Sequence, residues 1–130
     1  TRVIADMPSV NGLAFSPDER ILYVNSGVDN SVNRYDVLLD GTLANGRHFL
    51  TLAGDPKTGV SDGMKVDARG NIYITGPGGI WIVSPAGEHL ATIAFPEKPI
   101  NLAFGGVDRR TLFVTAHTGV YRIAVRVPGI

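Results

Sequence analysis

Few residues of this 130-residue chain have the type and spacing that catalysis requires. The three histidines, His48, His89 and His117, form no spaced metal-binding motif, and no Gly-x-Ser-x-Gly elbow is present for a serine hydrolase. We expect His48 and His89 to face solvent and His117 to lie in a loop. The absence of cysteine excludes disulfides, thiol catalysis and cysteine-ligated zinc. Local motifs alone therefore do not define an active site.

A glycine-rich segment, Gly76-Pro77-Gly78-Gly79, has the composition of a phosphate-binding loop. Such loops lead into a helix whose N-terminus holds the anion, whereas the residues that follow here, Ile80-Trp81-Ile82, are typical of a strand. We therefore predict a turn between two strands, with Trp81 as a residue that packs inside the sheet layers.

Asn11 and Asp62 each precede a glycine and a short apolar strand. On local pattern alone, these two residues are typical of turns in which a side chain hydrogen-bonds its own backbone. Any joint chemical role depends on the elements that bring them together.

The composition is that of a globular protein, with 44% apolar and 18% charged residues. Twelve basic residues balance twelve acidic ones, so the charge gives no reason to expect a nucleic acid or an anionic membrane as a partner. No apolar run approaches the ~20 residues of a membrane helix. The chain begins at Thr1 without a signal-peptide core, and the sequence leaves both the compartment and the existence of upstream residues open.

An internal repeat divides the chain into three units at intervals of about 40 to 50 residues. Each unit has a short apolar strand, a polar turn, a second strand centred on an aromatic residue (Tyr23, Tyr73 or Phe113) and a third strand. The pattern predicts an all-β chain with about three four-stranded β-propeller blades. The blades are predicted over about 10–53, 60–96 and 99–127 of a single domain, 1–130. A β-sandwich is the alternative, but it does not require one unit to recur three times.

The predicted strands do not divide evenly among the units. The first interval is longer, which we attribute to an extended connection over Leu38–Asn45 with a turn at Asp40-Gly41. The third unit ends after its third strand, while Arg2–Ala5 is predicted to be a spare strand preceding the first unit. Because ring-closed propellers often complete the last blade with a strand from the other terminus, residues 2–6 are predicted to be a closing strand.

The repeat units resemble the gluconolactonase, regucalcin (senescence marker protein) and luciferin-regenerating enzyme family of six-bladed propellers. The matching segments are residues 11–18, 61–64, 66–73, 103–106 and 120–123. The resemblance covers nearly the whole chain, in order, and corresponds to the C-terminal half of the family, which implies that the three blades are half of a six-bladed ring.

This resemblance implies a divalent cation in the central channel, usually Ca²⁺, with Zn²⁺ or Mn²⁺ as alternatives. By the family's motifs, Asn11 and Asp62 would be ligands, and Asp62 would also be the general base. A further glutamate ligand and the substrate-contacting Arg and Asn of earlier blades have no counterpart here. An amide and a carboxylate would supply two of the six to eight oxygens that calcium takes. The family commonly has Asp at the position of Asn25, a difference expected to weaken an accessory polar contact.

The resemblance therefore implies the C-terminal half of a metal-dependent hydrolase that opens a sugar-type or similar small lactone. The cation would polarise the lactone carbonyl while Asp62 takes a proton from water. The alternative is a non-catalytic half-propeller that binds or assembles and has lost the N-terminal part of the site. A half-ring would expose apolar blade faces, so we expect either a two-fold homodimer or association with a missing N-terminal half.

Overall fold

The computed structural model describes all residues from 1 to 130, which form eleven strands in three antiparallel sheets. Blade one contains β1 (Val10–Phe15), β2 (Ile21–Ser26), β3 (Ser31–Val37) and β4 (Leu43–Thr51). Blade two contains β5 (Met64–Val66), β6 (Ile72–Gly76), β7 (Gly79–Val83) and β8 (His89–Ile93). Blade three contains β9 (Pro99–Gly105), β10 (Thr111–Ala116) and β11 (Val120–Ala124). The predicted all-β, partial-propeller fold is confirmed.

Helical structure is limited to a 3₁₀ turn over Pro56–Thr58, which the sequence patterning did not predict. The Asp55 side chain accepts a hydrogen bond from the Lys57 backbone N–H (2.8 Å) and caps this turn. Nothing helical in the structure has the length and apolar character needed to cross a membrane.

Burial along the strands shows that blade two lies between the other blades. All five residues of β6 are buried, whereas β10 alternates between buried residues such as Leu112 and Val114 and exposed residues such as Phe113 and Thr115. Alternation is expected where a sheet packs on one side only, and continuous burial where it packs on both. Blade three therefore has one open face.

Two apolar clusters hold the blades together. The cluster between blades one and two contains Tyr23, Val32, Leu52, Met64, Val66, Ile72, Ile74, Trp81 and Val83. The cluster between blades two and three contains Tyr73, Ile80, Leu102, Leu112 and Val114. Successive residues of β6 point to opposite faces, so Ile72 and Ile74 join the first cluster and Tyr73 joins the second. Blade stacking is therefore stabilised by apolar burial on both faces of blade two.

The N-terminal segment, residues 1–9, covers part of the outer face of blade one. Ile4 and Met7 pack against the third apolar cluster, which consists of Leu22, Val24 and Tyr35. The Tyr35 hydroxyl also donates a hydrogen bond to the Asp6 carboxylate (3.4 Å). The two ends of the blade stack thus differ, since one open face carries a segment of its own chain.

The prediction of a strand over Arg2–Ala5 is corrected by the structure, in which residues 1–5 have no regular secondary structure. A β-strand requires a neighbouring strand to bond its backbone groups, and no strand of this chain lies beside these residues. The Arg2 guanidinium instead donates to the carbonyl oxygens of Ile4 (3.0 Å) and Ala5 (3.5 Å). Pairing of residues 2–6 with another copy or another blade stays a prediction.

The connection between β3 and β4 is shorter than the predicted Leu38–Asn45. The turn occupies residues 38–42, and β4 begins at Leu43. The pairing of β3 with β4 shifts register twice, and Asn45 adopts a left-handed backbone conformation (φ 52°). The additional residues of unit one are therefore taken up by a long, irregular fourth strand rather than by an open loop.

The C-terminal tail, residues 125–130, leaves blade three and crosses to the inner strand of blade two. Gly129 N–H donates to the Arg109 carbonyl (3.0 Å), and Ala68 N–H donates to the Pro128 carbonyl (2.8 Å). An antiparallel bridge pairs Asp67 with Gly129. Gly129 is required here because a Cβ atom would overlap the ring of Phe104. As a result, β11 keeps one edge free of a neighbouring strand.

Candidate active site

Asn11 and Asp62 lie at the same end of neighbouring innermost strands. Asn11 is the second residue of β1, and Asp62 precedes β5 by two residues. β1 and β5 are each the first strand of their sheets. The repeat therefore places the two residues at corresponding positions of blades one and two.

The glycine after Asn11 allows the two strands to touch. A Cβ atom on Gly12 would overlap the carbonyl oxygen of Asp62, so no other residue fits at position 12 without separating the blades. The Asn11 side-chain nitrogen lies 3.3 Å from the point where a Cβ of Gly27 would stand, and the Ser61 carbonyl oxygen lies 3.3 Å from the same point. The structure thus brings Asn11 beside the Ser61-Asp62 backbone.

The glycine after Asp62 makes the equivalent approach to blade three. Gly63 N–H donates to the Ile100 carbonyl (2.9 Å), and a Cβ on Gly63 would collide with Asn101. By this contact Ile100 corresponds to Asp62, so blade three contributes an apolar side chain where the other two blades contribute oxygen atoms. No cluster of three or more His, Cys, Asp or Glu side chains in the structure could hold a metal ion.

The Asn11 amide and the Asp62 carboxylate form no side-chain hydrogen bond within the chain, and Asn11 is exposed while Asp62 is half-buried. The backbone N–H and carbonyl of Asp62, in contrast, both form hydrogen bonds. Its N–H donates to the Thr75 hydroxyl (3.1 Å), and its carbonyl accepts from the Asn25 side chain (2.9 Å). The backbone is held in place while the side-chain oxygens stay free to bind a ligand.

This donor set fits a hard divalent cation in part. Carboxylate and amide oxygens are ligands that calcium prefers, whereas structural zinc sites are built mainly from sulfur and nitrogen. Asn11 and Asp62 would provide two of the six to eight oxygens, and the rest would come from water, substrate or protein outside this chain. The residues therefore suit calcium as members of a shared site.

Asn25 is a residue of this region whose role the sequence did not indicate. It was expected to weaken an accessory contact, yet its side chain is fully buried and makes two hydrogen bonds. One bond is to the neighbour of Asn11 and the other is to Asp62. No local pattern marks such a role, because the second bond spans 37 positions of sequence.

The other residues that were considered from sequence have structural roles. Trp81 is buried in the core, and its indole N–H donates to the Pro77 carbonyl (2.9 Å) in the turn between β6 and β7. His89 is exposed and stacks on Trp81 with ring centroids 3.9 Å apart, while His48 is exposed on β4. His117 lies in the loop between β10 and β11. The predicted blade turn and the predicted packing role of Trp81 are confirmed.

Glu97 lies in the segment that connects blades two and three, and its side chain ties this segment to the loop after β10. Its carboxylate accepts hydrogen bonds from the Tyr121 hydroxyl (2.6 Å), the Thr118 N–H (2.7 Å) and the Thr118 hydroxyl (2.9 Å). The bond from Tyr121 and those from Thr118 lower the pKa of Glu97, and the same carboxylate raises the pKa of Tyr121. With its acceptor atoms engaged, Glu97 is a structural residue.

A comparison with protein-family models matches residues 1–118 to the SMP-30/gluconolactonase/LRE-like region. This match covers most of the chain. The chain belongs to the SMP-30/gluconolactonase/LRE-like family. The predicted family is thus confirmed, and the three stacked blades are part of the propeller of this family.

Relatives within the SMP-30/gluconolactonase/LRE-like family agree in sequence and structure. The chain is 35% identical over 132 aligned residues to a gluconolactonase from Zymomonas mobilis, covering 96% of the chain and 37% of that protein. It is similar to the calcium-binding protein regucalcin from Agrobacterium tumefaciens, with a TM-score of 0.86, 25% identity and coverage of 100% of the chain and 50% of that structure. A gluconolactonase from Xanthomonas campestris matches with a TM-score of 0.79, 29% identity and coverage of 98% and 40%. The chain spans between 30% and 39% of the length of the three curated relatives it matches first.

Proposed function

We propose that this chain is part of a gluconolactonase-type hydrolase that opens a sugar-type or similar small lactone with the help of a divalent cation. The observation that carries the proposal is the contact between Gly12 and the Asp62 carbonyl, which places the backbone beside Asn11 against that of Asp62, while neither side-chain oxygen is hydrogen-bonded within the chain. Relatives named gluconolactonase support the reaction class. The shared position at the inner ends of adjacent blades supports a joint role for the two residues.

In this proposal, Asn11 and Asp62 bind the cation through the amide oxygen and a carboxylate oxygen. Calcium fits their donor set best, with manganese and zinc as alternatives. When bound, such a cation polarises a carbonyl group and lowers the pKa of water.

Asp62 also acts as the general base. A carboxylate oxygen of Asp62 accepts a proton from water as the water oxygen bonds to the lactone carbonyl carbon. The bond between that carbon and the ring oxygen then breaks, and the ring oxygen takes the proton back from Asp62 to become a hydroxyl group. The products are the carboxylic acid and the alcohol of one opened ring, so the atoms of lactone and water are conserved.

Replacing Asn11 with Ala is expected to weaken calcium binding about tenfold or more, because one oxygen ligand is lost without the loss of a buried contact. Isothermal titration calorimetry with Ca²⁺ measures the affinity. Activity of the full-length protein should recover in part at high calcium concentration. Asn33→Ala, a change in the middle of β3, is the matched control and should leave the affinity unchanged. Equal affinities for Asn11→Ala and the parent would contradict the assignment.

We also propose that protein outside this chain covers the open face of blade three, either a second copy or further blades of a longer protein. Phe113 (39% exposed) and Val120 (71% exposed) lie on that face, and β11 has a free edge beside it. A site with only two protein oxygens also requires a contribution from elsewhere. The non-catalytic alternative shares this requirement, and catalytic measurements distinguish the two functions.

The chain of 130 residues alone is expected to form a two-fold dimer, because that arrangement covers the open faces of both copies. Light scattering at micromolar concentration measures the mass. Phe113→Glu should yield a monomer by placing a charge on the covered face. Leu90→Glu changes a similarly exposed residue of β8, away from that face, and should stay dimeric. A well-folded monomeric parent would rule out the second copy and leave further blades as the partner.

A further inference from the structure

Asn25 joins the two strands that carry Asn11 and Asp62. It is the fifth residue of β2, its exposed fraction is 0%, and its side-chain oxygen accepts a hydrogen bond from Gly12 N–H (2.9 Å). Its side-chain nitrogen donates to the Asp62 carbonyl (2.9 Å). The partners fix the orientation of the amide, because an N–H can only donate and a carbonyl can only accept.

A carboxamide suits this position because it presents one donor and one acceptor on a single rigid plane. An Asp side chain would meet the Asp62 carbonyl with a second acceptor, and a Leu side chain would leave both backbone groups without a partner. Buried polar groups without partners cost about 1–3 kcal/mol each. In this chain, an amide of this length therefore satisfies both partners at position 25.

The surrounding residues extend this connection into a buried polar network. The Ser61 hydroxyl donates to the Ser26 carbonyl (2.6 Å), and Ser61 N–H donates to the Asn30 side-chain oxygen (2.8 Å). Asn25, Ser26 and Ser61 are fully buried, and Asn30 is 7% exposed. A buried network in which every member is satisfied defines a single relative arrangement of the groups that it connects.

The corresponding positions of the other blades make longer hydrogen bonds or none to a neighbouring blade. In blade two, Thr75 makes a similar pair of bonds, because its hydroxyl accepts from Asp62 N–H (3.1 Å) and donates to the carbonyl of Ile100 in the next blade, but at the longer distance of 3.5 Å. In blade three, Thr115 is exposed and its hydroxyl bonds within its own sheet, to Asn101. The blade pair that carries both proposed ligands is therefore joined by the shorter pair of hydrogen bonds, at 2.9 Å each, and these are made by an amide rather than by a hydroxyl.

We propose that Asn25 is a positioning residue that fixes the Asn11 backbone relative to Asp62 and so sets the spacing of the two cation ligands. The proposal rests on the proposed function for the identity of the ligand. Asn25 itself does not touch the cation or the substrate, because it is buried and both polar ends of its amide are engaged.

The test compares Asn25→Ala with Val114→Ala in the full chain. Val114 is fully buried in the cluster between blades two and three, so its truncation lowers stability without touching the site. Calorimetry with Ca²⁺ should show affinity about tenfold or more weaker for Asn25→Ala and unchanged for Val114→Ala. Amide hydrogen exchange at Gly12 should become faster in Asn25→Ala alone. Urea unfolding confirms that both variants are folded under the assay conditions.

Asn25→Thr provides a second variant in case the alanine form does not fold. Threonine occupies the corresponding position of blade two, where its hydroxyl bonds at 3.1 and 3.5 Å, so we expect it to hold the partners of Asn25 more weakly than the amide does. Its calcium affinity should lie between those of the parent and Asn25→Ala.

Unchanged calcium affinity in the folded Asn25 variants, or a loss equal to that of Val114→Ala, would overturn the proposal. A parent that binds no Ca²⁺ would count against the proposed cation site instead. The exchange rate of the Gly12 amide would then decide the positioning role, because slow exchange in the parent and in Asn25→Ala alike would overturn it.

Discussion

Replacing Asp62 with Asn should lower lactone hydrolysis about 100-fold or more in the full-length protein that contains this chain. Asparagine keeps an oxygen atom of nearly the same position and size, so a cation can still be coordinated, but an amide does not accept the proton of the attacking water. The measurement is kcat with a sugar lactone at saturating Ca²⁺, corrected for spontaneous hydrolysis. At saturating Ca²⁺ the cation is bound in both proteins, so a lower kcat reports the loss of the base rather than weaker cation binding.

Asp108→Asn is the matched control for this experiment. Asp108 lies in the turn between β9 and β10, where its side chain accepts a hydrogen bond from Arg110 N–H (3.1 Å). Its replacement also removes one negative charge, but at a position far from Asp62, and should leave kcat unchanged. If the Asp62→Asn protein turned over lactone as fast as its parent, Asp62 would not be the base.

Replacing Gly12 with Ala is expected to destabilise the fold by about 3 kcal/mol, at the upper end of typical overpacking effects. The obstacle is the Asp62 carbonyl oxygen, which belongs to the backbone and has no alternative rotamer. The blades must separate to admit the methyl group, and the hydrogen bond from the Asn25 side chain to the Asp62 carbonyl is lengthened as they do so. Urea unfolding measures the loss.

Gly27→Ala is the appropriate comparison for this change. A Cβ atom on Gly27 would stand 3.3 Å from both the Asn11 side-chain nitrogen and the Ser61 carbonyl oxygen, a tight contact that small shifts relieve. We expect a loss of less than about 1 kcal/mol for this variant. A similar loss for both glycines would mean that the contact between Gly12 and Asp62 does not limit the approach of the blades.

The blades could be predicted because their signal is local and repeated. Apolar strands, polar turns and the aromatic centres Tyr23, Tyr73 and Phe113 recur in order, and all three aromatic positions lie in the second strands of their sheets. The strand predicted over Arg2–Ala5 does not form within this chain, for a different reason. Its residues have strand-like character, but a strand also needs a neighbour, and no sequence window reports whether one is present.

The candidate site could be predicted only in part. The Asn-Gly and Asp-Gly pairs mark Asn11 and Asp62, and the structure explains the glycines as points of contact between blades. No sequence motif identifies Asn25, because an asparagine near a strand end is typical of many turns. Its function arises from a partner 37 positions away, and such pairings become visible only when the blades are stacked.

The path of the C-terminal tail decides where a fusion partner or affinity tag would emerge. Ile130 does not end at the rim of blade three but joins Leu13, Phe15 and Lys65 around a cavity of about 300 Å³ beside the innermost strands. A tag attached there would start against the channel wall, one short strand away from Asn11. A tag attached before Thr1, which is exposed, would instead leave from the outer face of blade one. When the 130-residue chain is expressed by itself, the tag is therefore better placed before Thr1.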